Sequence, residues 1–135
     1  MDRGHRLTKE SDELSIYSKH LHGLIKNPKH FGRMNDPTAA AFIKGPCGDE
    51  MEFYLVIEND IIKEAKFYSE GCPATMLYGD ITVEMSIGKS IDEVLSISPK
   101  QIASKLEGIP EYNSHCSILA VSTIHRAIAG YLLKK

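Results

Sequence analysis

Three cysteines are the residues of this sequence best suited to metal or sulfur chemistry. Cys47 lies in the segment 45–49 (Gly-Pro-Cys-Gly-Asp), where glycine and proline favour a tight turn and a carboxylate follows two residues after the thiol. Cys72 follows a glycine, and Cys116 directly follows His115. Thiolates are soft ligands that suit zinc and iron–sulfur chemistry, so these positions are candidates for one shared site.

The number and spacing of the cysteines bear on what kind of site this is. A disulfide framework normally uses an even number of cysteines in a small secreted chain, whereas this chain has three, far apart. Structural zinc sites usually contain a Cys-x-x-Cys pair, and the sequence has none. Two interpretations remain open at this point: small buried apolar side chains, or an open metal or reactive-thiol site.

A metal site built on three thiolates needs a fourth ligand to become tetrahedral. Asp49 and His115 are the candidates because each stands beside a cysteine, and Gly48 would let the turn bring Asp49 and Cys47 toward one metal. A carboxylate in place of a fourth thiolate should hold iron less firmly. Such a labile site would suit a protein that must give its metal away.

The hydrophobic pattern predicts an α+β fold: a three-stranded antiparallel meander with helices packed on one face. One helix should precede the sheet over residues 11–25, and several helices should follow it. The predicted strands are 39–44, 51–58 and 61–69. The predicted later helices are 73–87, 91–95, 99–108 and 114–133.

These elements place two cysteines at helix starts. Pro73 suits the first helical position, so Cys72 should be the N-cap, and Cys116 should lie in the first turn of the last helix. Free amides and the helix dipole favour a thiolate there. We expect none of the cysteines in the middle of a buried stripe. The predicted buried stripe of the last helix is Ile118, Val121, Ile124 or His125, Ile128 and Leu132.

Composition indicates one globular domain over residues 1–135, with residues 1–10 as a candidate disordered segment. Hydrophobic residues make up 42% and charged residues 25%, as in ordinary globular proteins. The net charge is -2 and the sequence has no block of basic residues, so neither a nucleic-acid partner nor a membrane partner is expected. The longest purely apolar run, 39–43, is far shorter than a membrane span, and because residues 1–5 are polar and lack an apolar core, no secretory signal is expected. A cytoplasmic location is expected.

Three segments together resemble the signature segments of the IscU/NifU-type iron–sulfur cluster scaffolds. They are 45–49 (Gly-Pro-Cys-Gly-Asp), 71–72 (Gly-Cys) and 115–117 (His-Cys-Ser), in the same order and at compatible spacings. Segments 27–32 and 88–93 (Gly-Lys-Ser-Ile-Asp-Glu) resemble two further family segments, an Asn-Pro-x-x-x-Gly loop and a Gly-Lys-Ser/Thr-Leu-Asp-Glu segment. The resemblance covers about residues 17–131.

The resemblance implies a carrier that is not an enzyme. Cys47, Cys72 and Cys116 would be cluster ligands or sulfur acceptors, Asp49 a conditional ligand, and His115 an alternative fourth ligand or polar neighbour. Such scaffolds build a 2Fe-2S cluster transiently from iron and from the persulfide sulfur of a cysteine desulfurase, then pass it to apo-proteins. Cys116 would be the first sulfur acceptor, and zinc would occupy the same site when iron is absent.

The protein could instead be a zinc-bound sulfurtransferase that relays persulfide through Cys116, or a structural zinc domain.

The segment before His115 departs from the family pattern. Bacterial scaffolds of this kind carry Leu-Pro-Pro-Val-Lys just before His-Cys, which a dedicated Hsp70-type chaperone recognises. Here residues 109–113 are Ile-Pro-Glu-Tyr-Asn, which argues against that chaperone as a partner.

Overall fold

The computed structural model describes residues 27–45, 48–105 and 115–134. The strands are β1 (Ala39–Lys44), β2 (Glu50–Glu58) and β3 (Ile61–Tyr68). The helices are α1 (Pro73–Ser86), α2 (Ile91–Leu95), α3 (Pro99–Ser104) and α4 (His115–Lys134). Several expectations lie outside the described residues: the helix over 11–25, the segment 1–10, Cys47, and the residues 109–113.

The three strands form one antiparallel sheet in the order β1-β2-β3, as the alternating pattern predicts. Alternate residues of β2 are buried from Met51 to Ile57, so one face of the sheet carries the core. Asn59 and Asp60 join β2 to β3 with φ values of 54° and 61°, the left-handed conformation that two-residue hairpin turns need. The meander is therefore confirmed.

Helices cover the apolar face of this sheet. α4 packs along β1 and β2, and α1 packs against β3 and α4. Phe53, Phe67 and Ile124 are fully buried where the sheet meets α4 and α1. The α+β class predicted from the sequence is therefore confirmed for the described residues.

The short helices begin as their capping residues predict. Ser90 with Glu93, and Ser98 with Gln101, form reciprocal capping boxes at the starts of α2 and α3. The predicted end of α3 is wrong, because the helix ends at Ser104 and not near residue 108. The amide of Lys105 bonds to the carbonyl of Ile102, a tightened last turn that commonly closes a helix.

The predicted buried stripe of α4 is correct at its centre and wrong at its ends. Val121, Ile124 and Ile128 are buried, but Ile118 is 57% exposed and Leu132 is 42% exposed. Cys116 faces the core, and at 3.6 residues per turn Ile118 lies about 200° and Leu132 about 160° around the helix from it. The rotation that buries Cys116 therefore turns Ile118 and Leu132 outward.

α4 is also long and apolar enough to cross a membrane when length and composition alone are considered, with a mean hydropathy of 1.4. Half of that window is buried inside the fold, against β1, β2 and the other helices. A core helix satisfies the same two criteria, so the hydropathy of α4 is accounted for by its packing.

Candidate metal centre

The turn between β1 and β2 positions Asp49. The amide of Gly45 bonds to the carbonyl of Asp49 at 2.7 Å, and the amide of Gly48 bonds to the carbonyl of Gly45 at 3.0 Å. Gly48 has φ +95°, a conformation that a side chain would strain. The turn therefore closes on itself and leaves the carboxylate of Asp49 at its end, directly before β2.

Cys72 is brought beside this turn by the link between β3 and α1. The hydroxyl of Ser69 donates to the carbonyl of Glu50 at 2.5 Å and accepts from the amide of Gly71 at 3.0 Å. This buried serine ties the approach to α1 to the first residue of β2, next to Asp49. Cys72 is the N-cap of α1 and precedes a proline at the first helical position, as predicted.

Cys116 enters the same site from α4, as the second residue of that helix. Its side chain is fully buried and belongs to the core, at the start of the helix and not in the middle of its buried stripe. The neighbouring His115 reaches solvent. The start of α4 thus presents one thiol from the interior and one imidazole from the surface.

The structure brings four of the five predicted site residues together. Asp49 Oδ2 lies 3.6 Å from Cys72 Sγ and 3.9 Å from Cys116 Sγ. Bond lengths for tetrahedral zinc put an oxygen and a sulfur ligand about 3.6 Å apart, so this spacing fits a shared metal ion. Ligand atoms of Asp49, His115 and Cys116 all lie within 4.8 Å of one another.

Thr75 completes the site, and the sequence analysis missed it. Its hydroxyl donates to Asp49 Oδ2 at 2.6 Å and lies 3.4 Å from Cys72 Sγ and 3.3 Å from Cys116 Sγ. The side chain is fully buried, so the hydroxyl contacts all three groups from the protein side. The signal in the sequence is its position three residues after the helix N-cap, which places both side chains on one side of the first turn.

The two thiols share a proton unequally. A hydrogen bond from the Cys116 thiol lowers the pKa of Cys72 to about 6, and the backbone amide of Thr75 adds to this effect, against burial and the charge of Asp49. The same hydrogen bond raises the pKa of Cys116, and burial raises it further. At neutral pH the metal-free pair therefore holds one proton, with Cys72 as the thiolate and Cys116 as the thiol.

The alkylation rate of Cys72 should consequently rise through about pH 6, well below the ordinary thiol value of about 8.5, and level off near neutrality. Below that pH the sulfur is protonated and a poor nucleophile. Peptide-level mass spectrometry after timed iodoacetamide treatment at pH 5–9 measures the midpoint for this residue alone. The Cys116→Ala variant loses the donor and should move the midpoint upward; an unmoved midpoint would contradict the shared proton.

A family model described as "NifU-like N terminal domain" matches residues 16–135, nearly the whole chain. The chain belongs to the NifU-like family. Segments 45–49, 71–72 and 115–117, on which the sequence resemblance depends, all fall within the matched range.

Curated relatives of this NifU-like chain carry scaffold names. It is 33% identical over 120 residues to "Iron-sulfur cluster assembly scaffold protein IscU 1" of Archaeoglobus fulgidus. The alignment covers 88% of this chain and 78% of the relative. It is 34% identical over 124 residues to the IscU scaffold protein of Escherichia coli strain K12, covering 88% and 96%. The membership predicted from the three cysteine segments is therefore confirmed.

Solved structures show the same NifU-like fold. The N-terminal part of a NifU-like protein from Brucella abortus superimposes with a TM-score of 0.71 at 16% identity, over 90% of this chain and 98% of that one. At so low an identity the likeness concerns the fold alone.

Proposed function

We propose that this protein is a scaffold on which an iron–sulfur cluster is assembled and from which it is transferred to apo-proteins. The observation that carries the proposal is the meeting of Asp49, Cys72 and Cys116 at ligand spacing in a NifU-like chain. Relatives that are identical at about a third of the aligned positions are named iron–sulfur cluster assembly scaffolds. The cluster is the cargo of such a protein, and a 2Fe-2S unit is the form we propose.

The mixed donor set supports a cluster that can leave. Cys72 and Cys116 offer soft sulfur ligands, and Cys47, whose position lies outside the described residues, is proposed as the third thiolate. Asp49 offers a hard oxygen, which holds iron less firmly than sulfur does. His115 can approach from the solvent side. The proposed site thus combines soft sulfur ligands, of which Cys116 is fully buried, with an oxygen and an imidazole ligand that are more easily replaced.

Sulfur would arrive as persulfide from a cysteine desulfurase. In the transfer, an acceptor thiolate attacks the outer sulfur, the new S–S bond forms on the scaffold, and the desulfurase cysteine leaves as a thiolate. Cys116 stays the acceptor proposed from the family resemblance, and its burial means that its sulfur must be uncovered first. Cys72 is partly exposed and is the thiolate of the metal-free pair.

The zinc-bound sulfurtransferase is not favoured, since the curated relatives described above are named as scaffolds. Zinc binding itself remains part of the proposal, because the same donors fit zinc. We propose a carrier role without turnover of its own, and the cytoplasmic location expected from the sequence stays a prediction.

The test is anaerobic reconstitution with ferrous iron, cysteine and a cysteine desulfurase, followed by addition of apo-ferredoxin. We expect visible charge-transfer absorption on the protein that then moves to the ferredoxin, scored after separating the two proteins. Tight zinc binding with persulfide turnover, and no cluster under any iron or reductant condition, would overturn the scaffold proposal.

A further inference from the structure

We propose that Thr75 is a positioning residue that holds Asp49 in the ligand set in preference to His115, and thereby keeps bound metal exchangeable. The proposal rests on the metal-binding function proposed above and deepens it. Thr75 contacts the atoms that would bind the metal, but it does not itself coordinate the metal.

The hydrogen-bonding capacity of a threonine hydroxyl makes this assignment specific. A hydroxyl carries one proton and two lone pairs, so Thr75 can donate to a single partner. The 2.6 Å contact to Asp49 Oδ2 is its shortest, and the contacts to the two sulfurs are 3.3 and 3.4 Å. Its proton therefore goes to the carboxylate, and this bond fixes the oxygen that faces Cys72 and Cys116.

Gly71 makes room for this arrangement. A Cβ at position 71 would lie 2.9 Å from both Cβ and Oγ1 of Thr75, closer than real Cβ contacts come. The amide of Gly71 is meanwhile held by Ser69. A side chain at position 71 would therefore push the hydroxyl of Thr75 away from Asp49. The glycine before Cys72 is explained by this close approach.

Asp49 and His115 are both within reach of a metal ion at Cys116. Their ligand atoms and the sulfur of Cys116 lie within 4.8 Å of one another, so weakening one of the two ligands leaves the other able to coordinate. Imidazole suits the soft, thiolate-rich site better than a carboxylate does. The hydrogen bond from Thr75 fixes the orientation of Asp49, the weaker ligand. Loss of this hydrogen bond should shift coordination toward His115.

The test uses cobalt(II) as a spectroscopic probe on the whole chain. Thr75→Val keeps the volume and removes the hydroxyl; we expect its cobalt absorption bands to move toward those of Asp49→Ala. We also expect cobalt release to a chelator to slow by about tenfold, at the low end of what changes around metal ligands produce. Thr75→Ser retains the hydroxyl and should release cobalt within about threefold of the wild-type rate.

Two combinations separate positioning from packing. In an Asp49→Ala background, Thr75→Val should change neither the spectrum nor the release rate, because the residue that Thr75 positions is gone. Adding His115→Gln to Thr75→Val should remove the slow release. A further change in the first combination, or slow release that persists in the second, would overturn the inference.

The outcomes also separate this inference from the scaffold proposal. Wild-type bands and release in Thr75→Val would overturn the role of Thr75 and leave cluster assembly untouched. A protein that assembles no cluster but shows the expected cobalt pattern would overturn the scaffold proposal and support the role of Thr75. If the Thr75→Val protein fails to fold, Gly71→Ala, which displaces the same hydroxyl, should give the same cobalt bands. A wild-type protein that does not bind cobalt would overturn the role of Thr75, whereas the scaffold proposal is decided by the reconstitution experiment.

Discussion

The Cys72→Ser and Cys116→Ser variants are expected to hold no stable 2Fe-2S cluster after reconstitution. A serine hydroxyl is harder than a thiol and stays protonated at neutral pH, so each variant replaces a soft anionic ligand with a poor one. Both sulfurs lie within 3.9 Å of Asp49 Oδ2, in the same ligand set. The measurement is the visible charge-transfer absorption, together with iron and sulfide content per protein, after gel filtration under anaerobic conditions.

Ser96→Ala supplies the control, because Ser96 is exposed at the end of α2, on a different element from the candidate ligands. Cys116 is fully buried, so circular dichroism and the Tm of each metal-free variant must first show that it folds. A folded Cys72→Ser or Cys116→Ser protein with a full complement of cluster would show that the replaced cysteine is not a ligand.

The second large effect is expected from Asp49→Ala. Removing the carboxylate takes away the hard ligand and leaves His115, whose nitrogen lies close enough to replace it. The assembled cluster should therefore live longer and pass to apo-ferredoxin more slowly, by about tenfold, the order found for changes around metal ligands. The decay of absorption and the rate of its appearance on ferredoxin measure the two effects separately.

Asp92→Ala is the matched control, since Asp92 is an exposed carboxylate in the first turn of α2. It should leave both rates unchanged. Transfer from Asp49→Ala that is as fast as from the wild type, or faster, would refute the role of Asp49 as the replaceable ligand. A variant that never loads a cluster would show that Asp49 is required for assembly.

Local patterns were sufficient for most of the fold. The period-two alternation of β2 and the turn residues Asn59 and Asp60 predicted the meander, because strand faces and hairpin turns depend on neighbours along the chain. The capping boxes at Ser90 and Ser98 likewise predicted two helix starts. Each of these signals is complete within a few residues of sequence.

The rotation of α4 was not predictable in the same way. A helix with apolar residues on several sides offers more than one face to a core, and periodicity put Ile118 inside. Packing against β1, β2 and α1 chose the face that buries Cys116 and turns Ile118 outward. That choice depends on residues far apart in the chain, which a window of sequence does not contain.

The same distinction between local sequence and tertiary packing applies to the candidate metal site. By itself, the sequence determined the chemistry on offer: thiols at Cys72 and Cys116 in segments of the NifU-like family, with Asp49 and His115 beside cysteines. Tertiary structure alone decided that the hydroxyl of Thr75 meets Asp49 and both sulfurs. The physical reason is that a hydrogen bond between residues 26 positions apart exists only after β2, α1 and α4 have packed together.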